Sequence, residues 1–239
     1  DGSIKWRVEK LDDSNKGCAV AVDKMGNIYA GTNAAIYSFT SSGNERWNGK
    51  NIAFKITERG AFALHGDCLY ATTLDKGLIS VNMTTGEKNW DYKNTGGNAY
   101  FPIVDKNGVI YFTEKGVSGK ALVYAVEPTG SLKWSKDIAS VLTYNGAALS
   151  AEGLLFLGNS GGKKVWKLDT NDNGELTEVR NIGQNIMAGV TIGTDKRLYF
   201  GTIGSNNIGS IKAVAINASP ELSSWSMRGG DLQGTNRQK

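Results

Sequence analysis

The sequence predicts an all-β protein built from repeated four-stranded units, and three observations carry that prediction. A glycine followed four residues later by a tryptophan recurs as Gly2–Trp6, Gly43–Trp47, Gly86–Trp90 and Gly130–Trp134, and a fifth copy, Gly174–Glu178, has lost the indole. Measured at the tryptophan position, the copies lie 41, 43, 44 and 44 residues apart, the period of a radial or stacked repeat array. Between these markers, short segments alternate apolar with small or polar residues and are bounded by turn chemistry. No 3.6-residue apolar period is sustained anywhere.

Each unit holds four strand signals. The first is a small-residue apolar segment: Cys18–Val22, Ala61–Leu64, Tyr100–Val104, Ala147–Leu149 and Ala188–Ile192. A turn follows, in two units Asp-x-x-Gly, as at Asp23–Gly26 and Asp105–Gly108. Asp suits that turn because its carboxylate bonds the local backbone, and Gly because it tolerates positive φ. The second strand carries an aromatic: Tyr29, Tyr70, Tyr111, Phe156 and Tyr199. The third strand alternates, as in Ile36–Phe39, Leu78–Val81, Leu122–Val126, Val165–Leu168 and Ile211–Ile216. A polar turn ending in Gly then leads into the fourth strand, which carries the tryptophan.

Four antiparallel strands per period form the blade of a β-propeller. Blades are expected at approximately 18–48, 60–91, 100–135, 146–180 and 188–217, with residues 3–7 supplying the last blade's fourth strand. The orphan strand at the front fits the vacancy at the back, which gives five blades. An arc cut from a larger ring is the competing count. Residues 218–239 are expected to form a tail packing on or beside the propeller. The recurring indole belongs between blades, where large-to-alanine core changes cost about 3 kcal/mol or more. Residues that recur are therefore scaffold, and functional residues are sought among those that do not.

Composition narrows the function classes. The chain has 239 residues and a net charge of +4, with Lys and Arg scattered, so no nucleic-acid surface is indicated. It has no apolar run long enough for a membrane helix. No signal peptide is visible, and the chain opens inside a repeat, as a mature or trimmed product would. Cys18 and Cys68 match no metal or redox spacing and read as small buried hydrophobes, with a disulfide as the alternative.

The segments Gly26-Asn-Ile-Tyr-Ala-Gly31, Leu122-Val-Tyr-Ala-Val126 and Thr85-Gly-Glu-Lys-Asn-Trp90 resemble the pyrroloquinoline-quinone-type (quinoprotein-like) propeller repeat. The resemblance spans residues 1 to about 217. The tail Trp225-Ser-Met-Arg-Gly-Gly-Asp-Leu-Gln-Gly-Thr-Asn-Arg237 is similar to a segment flanking such propellers in envelope proteins, with Ser226 where a proline is usual. Quinone-dependent dehydrogenases of this type carry an adjacent Cys-Cys pair and an acidic calcium cluster, neither of which this sequence repeats. The resemblance therefore implies a non-catalytic envelope propeller of the β-barrel assembly lipoprotein type, with no quinone. It also implies an extracytoplasmic location: periplasm, cell surface or secreted.

Site residues are sought in the variable loops 8–17, 49–59, 92–99, 136–145 and 181–187 and in the expanded loops 114–120 and 202–209. The residues just ahead of each innermost strand, Lys16, Arg59, Tyr100, Tyr144 and Asn185, are expected to rim the central funnel. Two cations, two aromatics and an amide suit a peptide, a sugar or an anion. The segment Asp169-Thr-Asn171-Asp-Asn173-Gly-Glu175-Leu-Thr177 follows a calcium-loop pattern of alternating oxygen side chains. Arg180 stands at its twelfth position, where a bidentate Glu is needed, and a metal-free Asn/Asp/Gly turn reads equally from it. His65 is the only histidine, which excludes a catalytic triad and a multi-histidine metal site. Asp23, Asp105 and Asp195 recur at turns and are read as turn formers.

Together these residues point to a monomeric binding or scaffold propeller that meets a protein or glycan through one loop face. The alternative is an enzyme: a reduced quinone-dependent dehydrogenase, or a funnel glycosidase with two carboxylates about 5–10 Å apart.

Overall fold

The computed structural model describes residues 2–9, 19–32, 34–47, 61–73, 77–115, 121–138, 146–159 and 161–222. Every regular element in them is a strand. The first sheet is β1 (Ala19–Val22), β2 (Ile28–Gly31) and β3 (Ile36–Phe39), extended by a single bridge from Phe39 to Glu45. The second is β4 (Phe62–His65), β5 (Cys68–Thr73), β6 (Gly77–Asn82) and β7 (Lys88–Tyr92). The third is β8 (Asn98–Val104), β9 (Ile110–Lys115), β10 (Ala121–Val126) and β11 (Leu132–Asp137). The fourth is β12 (Ala148–Leu149), β13 (Leu154–Asn159), β14 (Lys164–Asp169) and β15 (Glu175–Asn181). In the fifth, β16 (Asn185–Ile186) and β17 (Thr191–Ile192) are two halves of one inner strand. Both pair β18 (Arg197–Ile203), and β19 (Gly209–Ala215) lies on the other side of β18.

Every pairing is antiparallel and, β16 with β18 aside, joins neighbours in sequence, so each sheet is a meander, and the five sheets are consistent with the five blades counted in the sequence. The recurring Asp and Tyr hold the inner hairpins. Asp23 Oδ1 accepts the N–H groups of Met25 and Asn27, and its Oδ2 accepts Tyr29 Oη at 3.0 Å. Asp105 repeats the pattern with Asn107, Val109 and Tyr111, and Tyr199 donates to Asp195 at 2.6 Å. The carboxylate thus fixes the turn and also satisfies a phenol that would otherwise lie partly desolvated.

The tryptophans lie between blades. Trp47, Trp90 and Trp134 each tilt against the second-strand tyrosine of their own blade, at 5.8, 5.9 and 5.8 Å between ring centroids. The opposite face of each indole covers the repeat glycine of the following blade: Trp47 on Gly86, Trp90 on Gly130 and Trp134 on Gly174. Trp6 covers Gly43 in the same way. Three of the four also donate Nε1–H into the turn they cover, to Ser41, Met83 and Pro128 carbonyls at 2.9, 3.2 and 2.9 Å.

Residues 3–7 do not form the expected closing strand. Among the described residues, segment 2–9 makes no ladder with β19, and Trp6 is held instead by Gly43 and Ser41 of the first blade. Val8 adds to that hold by packing against Ala35, Tyr37 and Phe39 of the same blade. The two end blades are consequently more open than the inner ones. Val20 of β1 is 46% exposed, whereas Phe62, its counterpart in β4, is 2% exposed, and Ile211 of β19 is 84% exposed. After β19 the chain returns to the fourth blade, where Pro220 bridges Ser150 and Ser219 N–H reaches both carboxylate oxygens of Glu152. Residues 223–239 lie outside the described residues. Cys68 carries a free thiol, and Cys18 also lies outside the described residues.

Two predictions follow from this packing. At Gly86 (φ +74°) a Cβ would stand 2.7 Å from Trp47, whereas at Gly66 (φ +56°) it would meet nothing within 4 Å. Gly66→Ala bears only the left-handed backbone cost of about 1–2 kcal/mol. Gly86→Ala adds overpacking of about 1–3 kcal/mol, so urea titration should find it clearly the less stable variant; equal midpoints would refute the indole seat. The second concerns alkaline pH. Burial pushes the Tyr29 phenol up to about 12, and burial likewise raises Tyr70 and Tyr111. The unfolded chain ionises its phenols near 10. Their contribution to stability is therefore full below about pH 10 and is lost as pH rises through the folded values. Absorbance at the phenolate band should rise with unfolding rather than ahead of it.

Candidate functional site

The meander fixes two faces. First-to-second and third-to-fourth turns open on one face. Second-to-third loops share the other face with the connections between blades, and binding residues concentrate on such non-repeating loops.

The structure distributes the expected rim residues unevenly. Lys16, Arg59 and Tyr144 lie outside the described residues. Tyr100 sits in β8, only 6% exposed, with its ring tilted against Phe101 at 6.1 Å. The β8–β9 register shifts between Tyr100 and Ile103, and Phe101 takes a positive φ of 46°. This bulge turns the aromatic pair into the packing instead of out to a rim. Asn185 is exposed at the start of β16.

Asn185 borders a groove of about 480 Å³ on the loop face between the fourth and fifth blades. Lys163, Gln184, Asn185, Ile203, Ser205 and Asn206 line it, with glycines 183 and 204. Three elements converge there: the β13–β14 loop, the connection from β15 to β16, and the β18–β19 loop. Gln184 Oε1 accepts a hydrogen bond from Thr202 Oγ1 at 3.0 Å, and Asn206 Oδ1 accepts one from Ile208 N–H at 3.2 Å. A Cβ at Gly204 would fall 2.9 Å from Asn206 Oδ1 and 3.3 Å from Gln184 Nε2, so a glycine there lets both amides close in. The loops 181–187 and 202–209 stood out in the sequence as non-repeating. Lys163 did not, because its loop is short and carries no motif.

Another group invisible in the sequence is Glu114 of β9, which is fully buried. Its carboxylate accepts Gly97 N–H at 2.6 Å, Thr95 Oγ1 at 2.7 Å and Tyr124 Oη at 2.5 Å. Three donors satisfy it, and in return it fastens the connection between the second and third blades. A buried carboxylate so engaged is a structural fastener.

The calcium-like segment is the hairpin between β14 and β15, on the opposite face. Asp169 Oδ1 accepts Asn171 N–H, and the Asp169 carbonyl accepts Gly174 N–H. Asn171 Nδ2 donates to the Glu152 carbonyl, Asn173 takes φ +46°, Glu175 pairs Asp169 across the ladder, and Thr177 pairs Lys167. Among the described residues, no group of three His, Cys, Asp or Glu side chains is arranged to hold a metal. His65 ends β4 on this same face, with its ring near Gly108.

No match to the chain was found among curated protein sequences. Solved structures share the fold. Virginiamycin B lyase from Staphylococcus aureus superposes with a TM-score of 0.62 at 16% identity, over 84% of this chain and 71% of that one. Its catalytically inactive histidine-to-alanine variant, solved with quinupristin, gives 0.62 at 18%, over 87% and 73%. BamB from Moraxella catarrhalis gives 0.62 at 18%, over 95% of this chain and 65% of that one. The neighbours thus include an assembly factor and an enzyme on one architecture. The family model described as outer membrane protein assembly factor BamB matches residues 1–140, more than half of the chain, and the protein belongs to that family.

Proposed function

We propose that this protein is a non-catalytic binding propeller of the cell envelope that engages a protein partner through the face carrying the interblade connections. The groove between the fourth and fifth blades is the observation that carries this reading. It is the point on that face where three connecting loops meet around a shaped, polar surface. Family membership supports a role in assembly and an extracytoplasmic location, since an assembly factor acts by contacting other proteins. The protein works as a monomer, and the reading requires neither pyrroloquinoline quinone nor calcium. A glycan partner fits less well, because no aromatic ring lines the groove for a sugar to stack on. Among the described residues no helix is long and apolar enough to cross a membrane.

An enzymatic reading draws on the lyase neighbour, whose inactive form replaces a histidine. The only histidine here is His65, on the face opposite the groove. That separation favours binding over catalysis.

A charge-matched pair of variants tests the choice of face. Lys93→Glu with Lys115→Glu alters the loop face, and Lys24→Glu with Lys106→Glu alters the opposite face by the same charge. Each is immobilised and its capture of envelope proteins is quantified by mass spectrometry against the parent. The loop-face variant should lose a partner that the other retains. Loss confined to the opposite-face variant, or retention by both, would overturn the reading.

A further inference from the structure

The groove lining is donor-rich and contains no acid. The Lys163 ammonium makes no ion pair among the described residues, and Asp and Glu are absent from the lining. The acceptor oxygens of two of its three amides are already taken. Thr202 Oγ1 occupies Gln184 Oε1, and Ile208 N–H occupies Asn206 Oδ1. With those oxygens engaged, the NH₂ groups of both amides remain as donors at the groove. Thr202 is itself buried and contacts Ser210 Oγ at 2.8 Å, so the orientation of Gln184 is set by a second layer of hydroxyls. Gly204 removes the side chain that would hold Gln184 and Asn206 apart. At the base of the Lys163 loop, Asn159 is fully buried, and its Oδ1 is taken by Gly162 N–H. The arrangement offers one cation and several N–H donors with their own acceptors withdrawn.

We infer that this groove binds the carboxylates of an acidic peptide segment. The inference rests on the protein-binding reading above and gives it a ligand chemistry. Amide and ammonium donors converging on a carboxylate form charge-assisted hydrogen bonds, which are stronger than neutral ones. A volume of about 480 Å³ accommodates more than one side chain and exceeds what a single small anion fills. Ile203 is the only large apolar residue of the lining, so the recognition is polar. The chain's net charge of +4 favours approach by an acidic partner.

Fluorescence anisotropy with a fluorescein-labelled, C-terminally amidated hexaglutamate peptide tests this, with hexaglutamine as the neutral control. Gln184→Glu keeps the acceptor for Thr202 and replaces the donor offered to the groove with a negative oxygen. Lys163→Gln removes the cation at unchanged backbone conformation. Thermal melts confirm that both fold, and Lys106→Gln on the opposite face serves as reference. Hexaglutamate should bind and hexaglutamine should not. Each groove variant should weaken binding at least about tenfold, as the loss of one charge-assisted bond implies, and Lys106→Gln should leave it unchanged. No binding of hexaglutamate, parental affinity in both groove variants, or displacement by oligogalacturonate or inorganic phosphate more readily than by unlabelled peptide would each overturn the inference. If it fails while the Lys93 and Lys115 variant still loses its partner, the groove chemistry falls and the loop-face reading stands.

Discussion

The fold depends on one contact repeated along the chain: an indole laid across a glycine turn of the next blade. A meandering sheet of four short strands cannot bury both its faces alone, so stability has to come from the joints between units. The indole supplies that joint on both sides. Its first face meets the tyrosine of its own blade, and its second meets a turn where any Cβ would collide with the ring. Because it also donates its N–H to a carbonyl of that turn, the joint is directional as well as apolar. Sliding one blade against the next would break the hydrogen bond and drive the ring into backbone. Tilted aromatic pairs add a modest increment beyond the area they bury.

This joint explains why the architecture was legible in the sequence while its wiring was not. Glycine and tryptophan recur in the same five-residue phrase, which suggests that they serve one another. In the folded chain Gly86 serves Trp47 of the preceding blade, and Trp90 goes forward to Gly130. A periodic sequence reveals the interval but carries no mark of direction, so partners one period apart look the same as partners within a period. The Asp turns were legible for the opposite reason, since turn chemistry is local, whereas the same carboxylates' bonds to Tyr29 and Tyr111 appear only in the fold. Tyr100 was misplaced because strand alternation assumes an unbroken register, and the bulge at Phe101 breaks it. Glu114 left no trace because its three donors come from a connection and a neighbouring strand, gathered only by folding. Asn185, named by the same reasoning from a non-repeating loop, lies exposed at the start of β16.

The hairpin from Asp169 to Gly174 illustrates how one composition can satisfy two patterns. Its alternating Asp and Asn match a calcium loop, yet in the structure those groups serve the chain itself. Asp169 caps the turn, and Asn171 ties it to the neighbouring hairpin at Glu152. The hairpin is also longer than its counterparts at Thr40–Gly43 and Glu127–Gly130. The Asp172 carbonyl, which stands two residues before the glycine as the Ser41 and Pro128 acceptors do, is taken by Glu175 N–H at 2.8 Å. The Trp134 N–H beneath it consequently has no acceptor among the described residues, unlike the three other indoles. The extra residues that create the calcium-like spelling thus cost the joint its hydrogen bond while leaving the glycine contact intact.

The fourth and fifth blades meet without the standard joint. Glu178 replaces the tryptophan and turns outward to Lys164 at 2.6 Å, both partly exposed. Such an exposed pair contributes little compared with a buried indole. The boundary is instead held by an apolar cluster that joins Phe156 and Val165 of the fourth blade to Ile186, Val190, Leu198 and Phe200 of the fifth. These residues lie within the blades and leave the loops above them free of any large ring. That is where the groove opens. A repeat protein has identical joints by default, and a site requires one joint to differ. Loss of the indole at Glu178 and lengthening of the β18–β19 loop fall at the same boundary. Together they relieve a position of its scaffolding duty and give the polar side chains there room to face outward.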